Sequence, residues 1–263
     1  MKIAISGKGG VGKTTIAAIL SRTLYQKGFK VLAIDADSNS NLALALGISP
    51  ADAEKLVPLS DNTSLVEEKT GARPNSAGVI FKLSFRVDDI IERFAVVTPC
   101  GVSLVVMGAV KSSGQGCMCP ANAMIRAILR YLLIKRDEAV IVDLEAGVEH
   151  FGRGTAETVD VMLIVTEASI KSLETVKRIY KLSKELGIKK IFVVGNRIVD
   201  SSDEEVVETF CKTNHFPLLG FVPYDEKIRK SDSKGILLDA RTASKGILCI
   251  QQLSEDLLRL VKI

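Results

Sequence analysis

The chain has 263 residues, of which 47% are apolar and 25% charged, and a net charge of +4. That is enough material for one large α/β domain or two small ones around a sizeable core, and so mild a charge gives no footing for a nucleic-acid partner. No apolar run reaches bilayer-spanning length, and the N-terminal MKIAISGKGG reads as a strand rather than a signal segment, so a cytoplasmic protein is expected. Its five cysteines are then reduced, and a close pair of them points to metal or redox chemistry rather than a disulfide.

Val/Ile/Leu-rich runs without polar alternation mark strands buried on both faces. The first is 2–6 (KIAIS), and a helical pattern follows at 13–27. Between them lies 7-GKGGVGKT-14, which matches G-x-x-x-x-G-K-[ST] in the strand-loop-helix context that the motif requires. Gly9, Gly10, Val11 and Gly12 can form a nest of backbone N–H groups around phosphate oxygens, and the helix adds its positive end. Lys13 supplies a point charge to the β- and γ-phosphates, the Thr14 hydroxyl is a ligand for Mg²⁺, and Thr15 joins the binding set in the same turn. Lys8 is a second lysine that the nest does not need. Turned outward, it can reach nucleotide on a neighbouring subunit in the manner of an arginine finger.

The second strand, 30–35, runs into 35-DADSNSN-41, placing Asp35 and Asp37 at the carboxyl end of a parallel strand, beside the phosphates. Residues 48–98 have weak patterns and hold Pro50, Pro58 and Pro74. They are read as a less regular insertion in a single domain spanning 1–263. A strand at 102–107 follows, and then 116-GCMCP-120. Pro120 suits the first turn of a helix at 120–135, and a thiol there is stabilised as thiolate. Cys117 and Cys119, two apart on an extended segment, face the same way. Two thiolates are half of a tetrahedral site and suit Ni²⁺, Zn²⁺ or Cu⁺. A two-fold dimer with the pair on its axis completes four sulfurs; a reactive pair without metal is the alternative.

The strand at 139–143 ends in Asp143, a Walker B-like carboxylate for Mg²⁺, with Gly147 in a switch loop beyond it. Carboxylates at strand ends also cap helices, which is the plainer alternative. After a strand at 161–166 and a helix at 170–186, the strand at 190–195 leads into Asn196, whose carboxamide can pair with the adenine edge. A guanine site wants an aspartate three residues on, where this chain has Val199, so ATP is favoured over GTP. A helix at 202–212 carries the acidic run 203-DEEVVE-208 on a solvated face. A strand at 218–222 and a helix near 243–261 complete the pattern. Cys249 reads as core. The end, 253-LSEDLLRLVKI-263, reads as core helix rather than a basic membrane-binding tail. Strands alternating with helices at this spacing predict a doubly wound, mostly parallel sheet.

The K-G-G-V-G-K-T pattern resembles the deviant Walker A ATPases, the superfamily of MinD, ParA and the nitrogenase iron protein. Together with 116-GCMCP-120 and 143-DLEAGVEHFGRGT-155 the likeness narrows to the CooC family, accessory ATPases of nickel carbon monoxide dehydrogenase maturation, and runs along nearly the whole chain. The resemblance implies a P-loop fold of the deviant Walker A (SIMIBI) type and hydrolysis of ATP to ADP and phosphate. It also implies a homodimer formed with ATP, with Lys8 acting across it. Asp37 would orient the attacking water, Asp35 support Mg²⁺, Asn41 touch the partner or the nucleotide, and Pro223 and Asp225 line the adenine side. Cys117 and Cys119 of both subunits would hold Ni²⁺ or Zn²⁺ for the client enzyme. An iron–sulfur ATPase resembling the nitrogenase iron protein is an alternative: that family places a second cysteine seven residues after Asp143, where this chain has His150, but a cluster shared between subunits can still use two C-x-C pairs. A MinD- or ParA-like positioning switch leaves the cysteine pair unexplained.

Overall fold

The computed structural model describes residues 1–37, 39–72, 88–108, 120–135, 138–148, 151, 158–234 and 244–261. Among these residues eight strands form one sheet: β1 (Lys2–Gly7), β2 (Val31–Ala36), β3 (Val96–Val97), β4 (Ser103–Val106), β5 (Ala139–Leu144), β6 (Val161–Thr166), β7 (Ile191–Ile198) and β8 (Leu218–Pro223). Their order is β3-β4-β2-β5-β1-β6-β7-β8. All pairings are parallel except the two-residue edge strand β3, which runs antiparallel to β4.

Helices cover both faces. They are α1 (Lys13–Gln26), α2 (Leu42–Ala45), α3 (Pro50–Ala53), α4 (Thr63–Thr70), α5 (Asp88–Phe94), α6 (Pro120–Lys135), α7 (Ile170–Glu185), α8 (Ser201–Asn214), α9 (Glu226–Lys234) and α10 (Lys245–Val261). Alternation along β1 divides the core in two. Ile3 and Ile5 pack in one layer with Ile16 and Leu20 of α1 and Ile250 and Leu257 of α10. Ala4 faces the other, with Leu129 and Leu132 of α6 and Val176 and Ile179 of α7. Because strands β2, β5 and β6 are buried along their whole length, apolar side chains are needed on both faces, which is why their sequences lack alternation. This is the doubly wound α/β architecture expected, and among the described residues no helix is long and apolar enough to cross a membrane.

Two departures from the sequence pattern have local causes. The strand expected at 190–195 extends to Ile198 because β8 pairs with its irregular end: Asn196 lies opposite Val222 and Ile198 opposite Pro223, and the Tyr224 N–H donates to the Ile198 carbonyl. Arg197 takes a left-handed conformation there, φ 57°. Helix α9 went unpredicted because EKIRKSDSK has almost no apolar stripe; it starts where Asp225 accepts the N–H groups of Lys227 and Ile228 and carries an Arg229–Glu226 pair along its exposed side. Among the described cysteines Cys211 is the buried one, while Cys249 stays half-buried at the core margin. Within 48–98, α4 is capped by Asn62 and sends Leu65 and Val66 into the core shared with α6. Pro74, Cys117, Cys119 and His150, singled out in the sequence, lie outside the described residues.

Candidate active site

The strand order places β5 and β6 on either side of β1, so the chain reverses its direction of winding there and a crevice opens at the carboxyl ends of the strands. The loop from Gly7 to Gly12 leaves β1 into that crevice. Gly12 has φ 92°, a conformation that side-chain-bearing residues rarely adopt, and a Cβ there would collide with the Asn196 carboxamide. At Gly7 a Cβ would strike the Val165 carbonyl of β6. Sequence spacing alone identified these glycines; the neighbouring strands supply the reason. Val11 is fully buried, anchoring the loop, whereas Gly9 and Gly10 are exposed and Lys8 half-buried. Helix α1 has no side-chain cap and no acid in its first turn, so its leading N–H groups suit an anion.

Around this loop the polar groups are closely fitted. Lys13 is buried, with its Nζ 3.8 Å from Asp37. The Thr14 hydroxyl donates to Asp143 Oδ2 at 2.6 Å. Asp35 and Asp143 sit opposite one another on the adjacent parallel strands β2 and β5, and neither is exposed. Burial drives both carboxyls up to about 7. The Asp143 charge raises Asp35 further, while N–H groups of Leu42 and Asp37 oppose the rise. At Asp143 the Thr14 hydroxyl and the Lys13 charge oppose it, and Asp37 adds to it. Asp35 thereby also ties down the loop after β2, and Asp37 accepts the Asn39 N–H. Asn41 is exposed, its amide bonded to the Asn39 carbonyl.

Asp143 Oδ1 is buried with no hydrogen-bond partner among the described residues. An orphaned carboxylate oxygen beside a threonine hydroxyl is a hard, all-oxygen donor set that fits Mg²⁺, an ion that takes few protein ligands and keeps its waters and phosphate oxygens. Among the described residues no three His, Cys, Asp or Glu side chains gather in a metal-binding group.

Beyond the loop lies a cavity of about 470 Å³, lined by Gly12, Thr15, Asn196, Pro223, Tyr224 and Asp232 among others. Asn196 is buried, and its Nδ2 donates to the Val11 carbonyl at 2.7 Å. The amide therefore buttresses the phosphate loop, and its Oδ1 remains an acceptor. Val199, by contrast, is 74% exposed. Pro223 is a wall of the cavity. Asp225 also lines it, yet its carboxylate bonds to the N–H groups of Lys227, Ile228 and Gly246, joining the starts of α9 and α10; against the effect of burial, the Ser244 hydroxyl first and then these N–H groups hold its carboxyl below the usual carboxylate range. Its position is therefore architectural as well as lining. Thr15 reaches across to Asp232 of α9 at 3.2 Å. The sequence reading missed Arg197 and Asp232, which come from a strand end and a helix with no motif; Tyr224 lies within 222-VPYDEK-227, the stretch that resembles the superfamily's adenine-side loop, though only Pro223 and Asp225 are singled out in it.

A family model described as the CobQ/CobB/MinD/ParA nucleotide binding domain matches residues 2–238. The chain belongs to this family. Among relatives of this MinD/ParA-type ATPase, an uncharacterised ATP-binding protein of Methanocaldococcus jannaschii is 48% identical over 93% of the chain and 94% of its own length. The carbon monoxide dehydrogenase accessory protein CooC of Rhodospirillum rubrum is 44% identical over 90% of the chain and 88% of its own length. The cell division ATPase MinD of Pyrococcus furiosus superposes with a TM-score of 0.68 at 26% identity, covering 98% of this chain and 99% of that one. The resemblance carried by the loop and the cysteine segment is thus matched along most of the chain. The protein is an ATPase of the MinD/ParA type, and ATP with Mg²⁺ fits its loop.

Proposed function

We propose that this ATPase is an accessory protein of a nickel carbon monoxide dehydrogenase, delivering metal under the control of ATP. The 44% identity to CooC, sustained over 90% of the chain, carries this reading. In it, residues 1–263 act as one domain, with 48–98 as a less regular insertion, and the protein works in the cytoplasm. The backbone of Gly9 to Gly12 receives the phosphates, with Thr15 beside them, and Lys13 exchanges its contact with Asp37 for the β- and γ-oxygens. Thr14 and Asp143 hold Mg²⁺, which supplies neutralisation of the charge developing on the phosphates. Asp35 fixes the loop that presents Asp37 to the attacking water. Asn196, with Nδ2 committed to Val11, offers Oδ1 to the adenine 6-amino group; a guanine carbonyl would meet an acceptor there, and no aspartate stands at Val199 to compensate. Pro223 and Asp225 wall the base.

ATP joins two subunits, with Lys8 of each completing the other's site, and the dimer brings Cys117 and Cys119 of both chains to one Ni²⁺ or Zn²⁺, the cargo. Linkage then requires that metal favour whichever dimer state binds it more tightly. The test is a titration of the purified protein with Ni²⁺ and Zn²⁺, without nucleotide and with ADP or ATP, reading metal stoichiometry and mass together. One metal per dimer, lost when both cysteines become serine, is expected. Cysteine-independent metal, or none in any nucleotide state while ATP still drives dimerisation, rejects delivery. It favours the second reading, a MinD-like positioning ATPase, which the superposition on the Pyrococcus furiosus protein supports.

A further inference from the structure

The segment leaving β5, Glu145-Ala146-Gly147, lies two residues beyond Asp143, and each of its carbonyls is held. Ser6, the last residue before the phosphate loop's Gly7, is fully buried. Its Oγ lies 2.7 Å from the Glu145 carbonyl and 2.9 Å from the Gly147 carbonyl. The Gly147 N–H donates to the Glu145 carbonyl at 2.7 Å, closing a three-residue turn. Arg178 reaches from α7 to the Ala146 carbonyl at 3.1 Å. The donors come from β1, from α7 and from the segment itself.

We propose that Ser6 and Arg178 are positioning residues that keep the 145–147 loop folded on itself, so that ATP must open the loop to engage it and ADP need not. This rests on the ATP-site reading above. A hydroxyl has one hydrogen, so Ser6 can donate fully to only one of its two carbonyls and is satisfied in either of two loop arrangements. Gly147 is the loop's glycine, and its N–H is engaged inside the turn. In that reading the terminal phosphate lies between the phosphate loop and Asp143 and seeks backbone N–H donors, and the Gly147 N–H, engaged inside the turn, becomes available only when the turn opens. Opening releases one carbonyl from Ser6 and draws Ala146 away from Arg178. A ligand shifts such an equilibrium only by its differential affinity for the two arrangements. The ties therefore weaken ATP and leave ADP, which lacks the third phosphate, untouched. Arg178 is thus a route by which anything that contacts the outer side of α7 can alter ATP affinity.

The test is calorimetric binding of Mg²⁺ with a non-hydrolysable ATP analogue, and separately with ADP, to the full chain and to Arg178→Ala, Arg178→Lys and Ser6→Ala. Arg178→Ala is expected to bind the analogue about threefold to tenfold more tightly, the scale of one lost hydrogen bond, with ADP unchanged. Arg178→Lys, which keeps a donor, should return towards the starting ratio. Ser6→Ala should shift the ratio in the same direction, and Arg178→Ala on the surface keeps the test valid if the buried Ser6→Ala fails to fold. An analogue-to-ADP ratio that stays constant, or an analogue bound more weakly, overturns the proposal. Failure of the unsubstituted protein to bind either nucleotide overturns the ATP-site reading itself, and this inference with it.

Discussion

The two halves of the nucleotide crevice are built in opposite ways. On the phosphate side, Gly7 to Thr15 are contiguous, and Asp35 and Asp143 end strands on the same side of β1. On the base side, Asn196, Tyr224 and Asp232 come from β7, the end of β8 and α9, and meet through tertiary packing. The phosphate half recognises a fixed chemical group, so its backbone geometry dictates glycines at fixed spacing. In the proposed reading the other half would receive a flat base edge, which many lining residues can accommodate, so it leaves little trace in sequence. Asn196 joins them, since one carboxamide supports the loop through Val11 and faces the cavity.

The sharpest break of this comparison is Lys13→Ala, which should weaken ATP binding by roughly 100-fold or more, through loss of a buried charge-assisted contact to phosphate; tight ATP binding by that variant would remove the phosphate half altogether. Next is Asn196→Ala. It leaves the Val11 carbonyl without its donor, at about 1–3 kcal/mol, so ATP affinity and melting temperature should fall together. A variant that lost base selectivity at unchanged stability would mean that the two halves are independent.

The carboxylates give a prediction in pH. Asp35 and Asp143 are raised from 3.8 to about 7, so between about pH 4 and 7 the folded protein holds protons that the unfolded chain releases. Their contribution is therefore most favourable below pH 4 and declines as pH rises through 7. Lys13, Asp37 and the Thr14 hydroxyl face the pair. Asp143→Asn, which removes one charge, should raise stability without Mg²⁺ at pH 8, on the order of 2 kcal/mol, with the gain vanishing towards pH 4 in thermal melts. A gain independent of pH would assign the effect to packing instead. The smallest effect is expected on the base side: Asp232→Ala breaks one 3.2 Å contact to Thr15 in a partly open cavity and should change ATP affinity by about threefold or less, measured by titration.

How much was legible follows the same division. The seven long strands were read within one to three residues of their ends because burial on both faces forces continuous apolar runs. The phosphate loop, Asp35, Asp37 and Asp143 were read because each is a short pattern at a strand end. The edge strand β3 was missed because two residues carry no period. Helix α9 was missed because its start is set by Asp225 and by Ile228 packing close to Gly246, not by an apolar stripe. Asp225 was read as a base contact, but its hydrogen bonds to three backbone N–H groups depend on α10 arriving beside α9, which no local pattern records. Ser6 and Arg178 were passed over for the same reason: their partners at 145–147 are 139 to 141 and 32 positions away.

By itself, then, the sequence determined the sheet's buried strands, the phosphate loop and the carboxylates that stand beside it, because backbone geometry and burial constrain residue type locally. The tertiary structure alone decided that Asn196 buttresses that loop, that Asp225 ties two helices together, and that Ser6 and Arg178 hold the loop after β5. Each is a hydrogen bond between groups brought together only when the strands pair, and a donor's partner is fixed by proximity rather than by its neighbours in the chain.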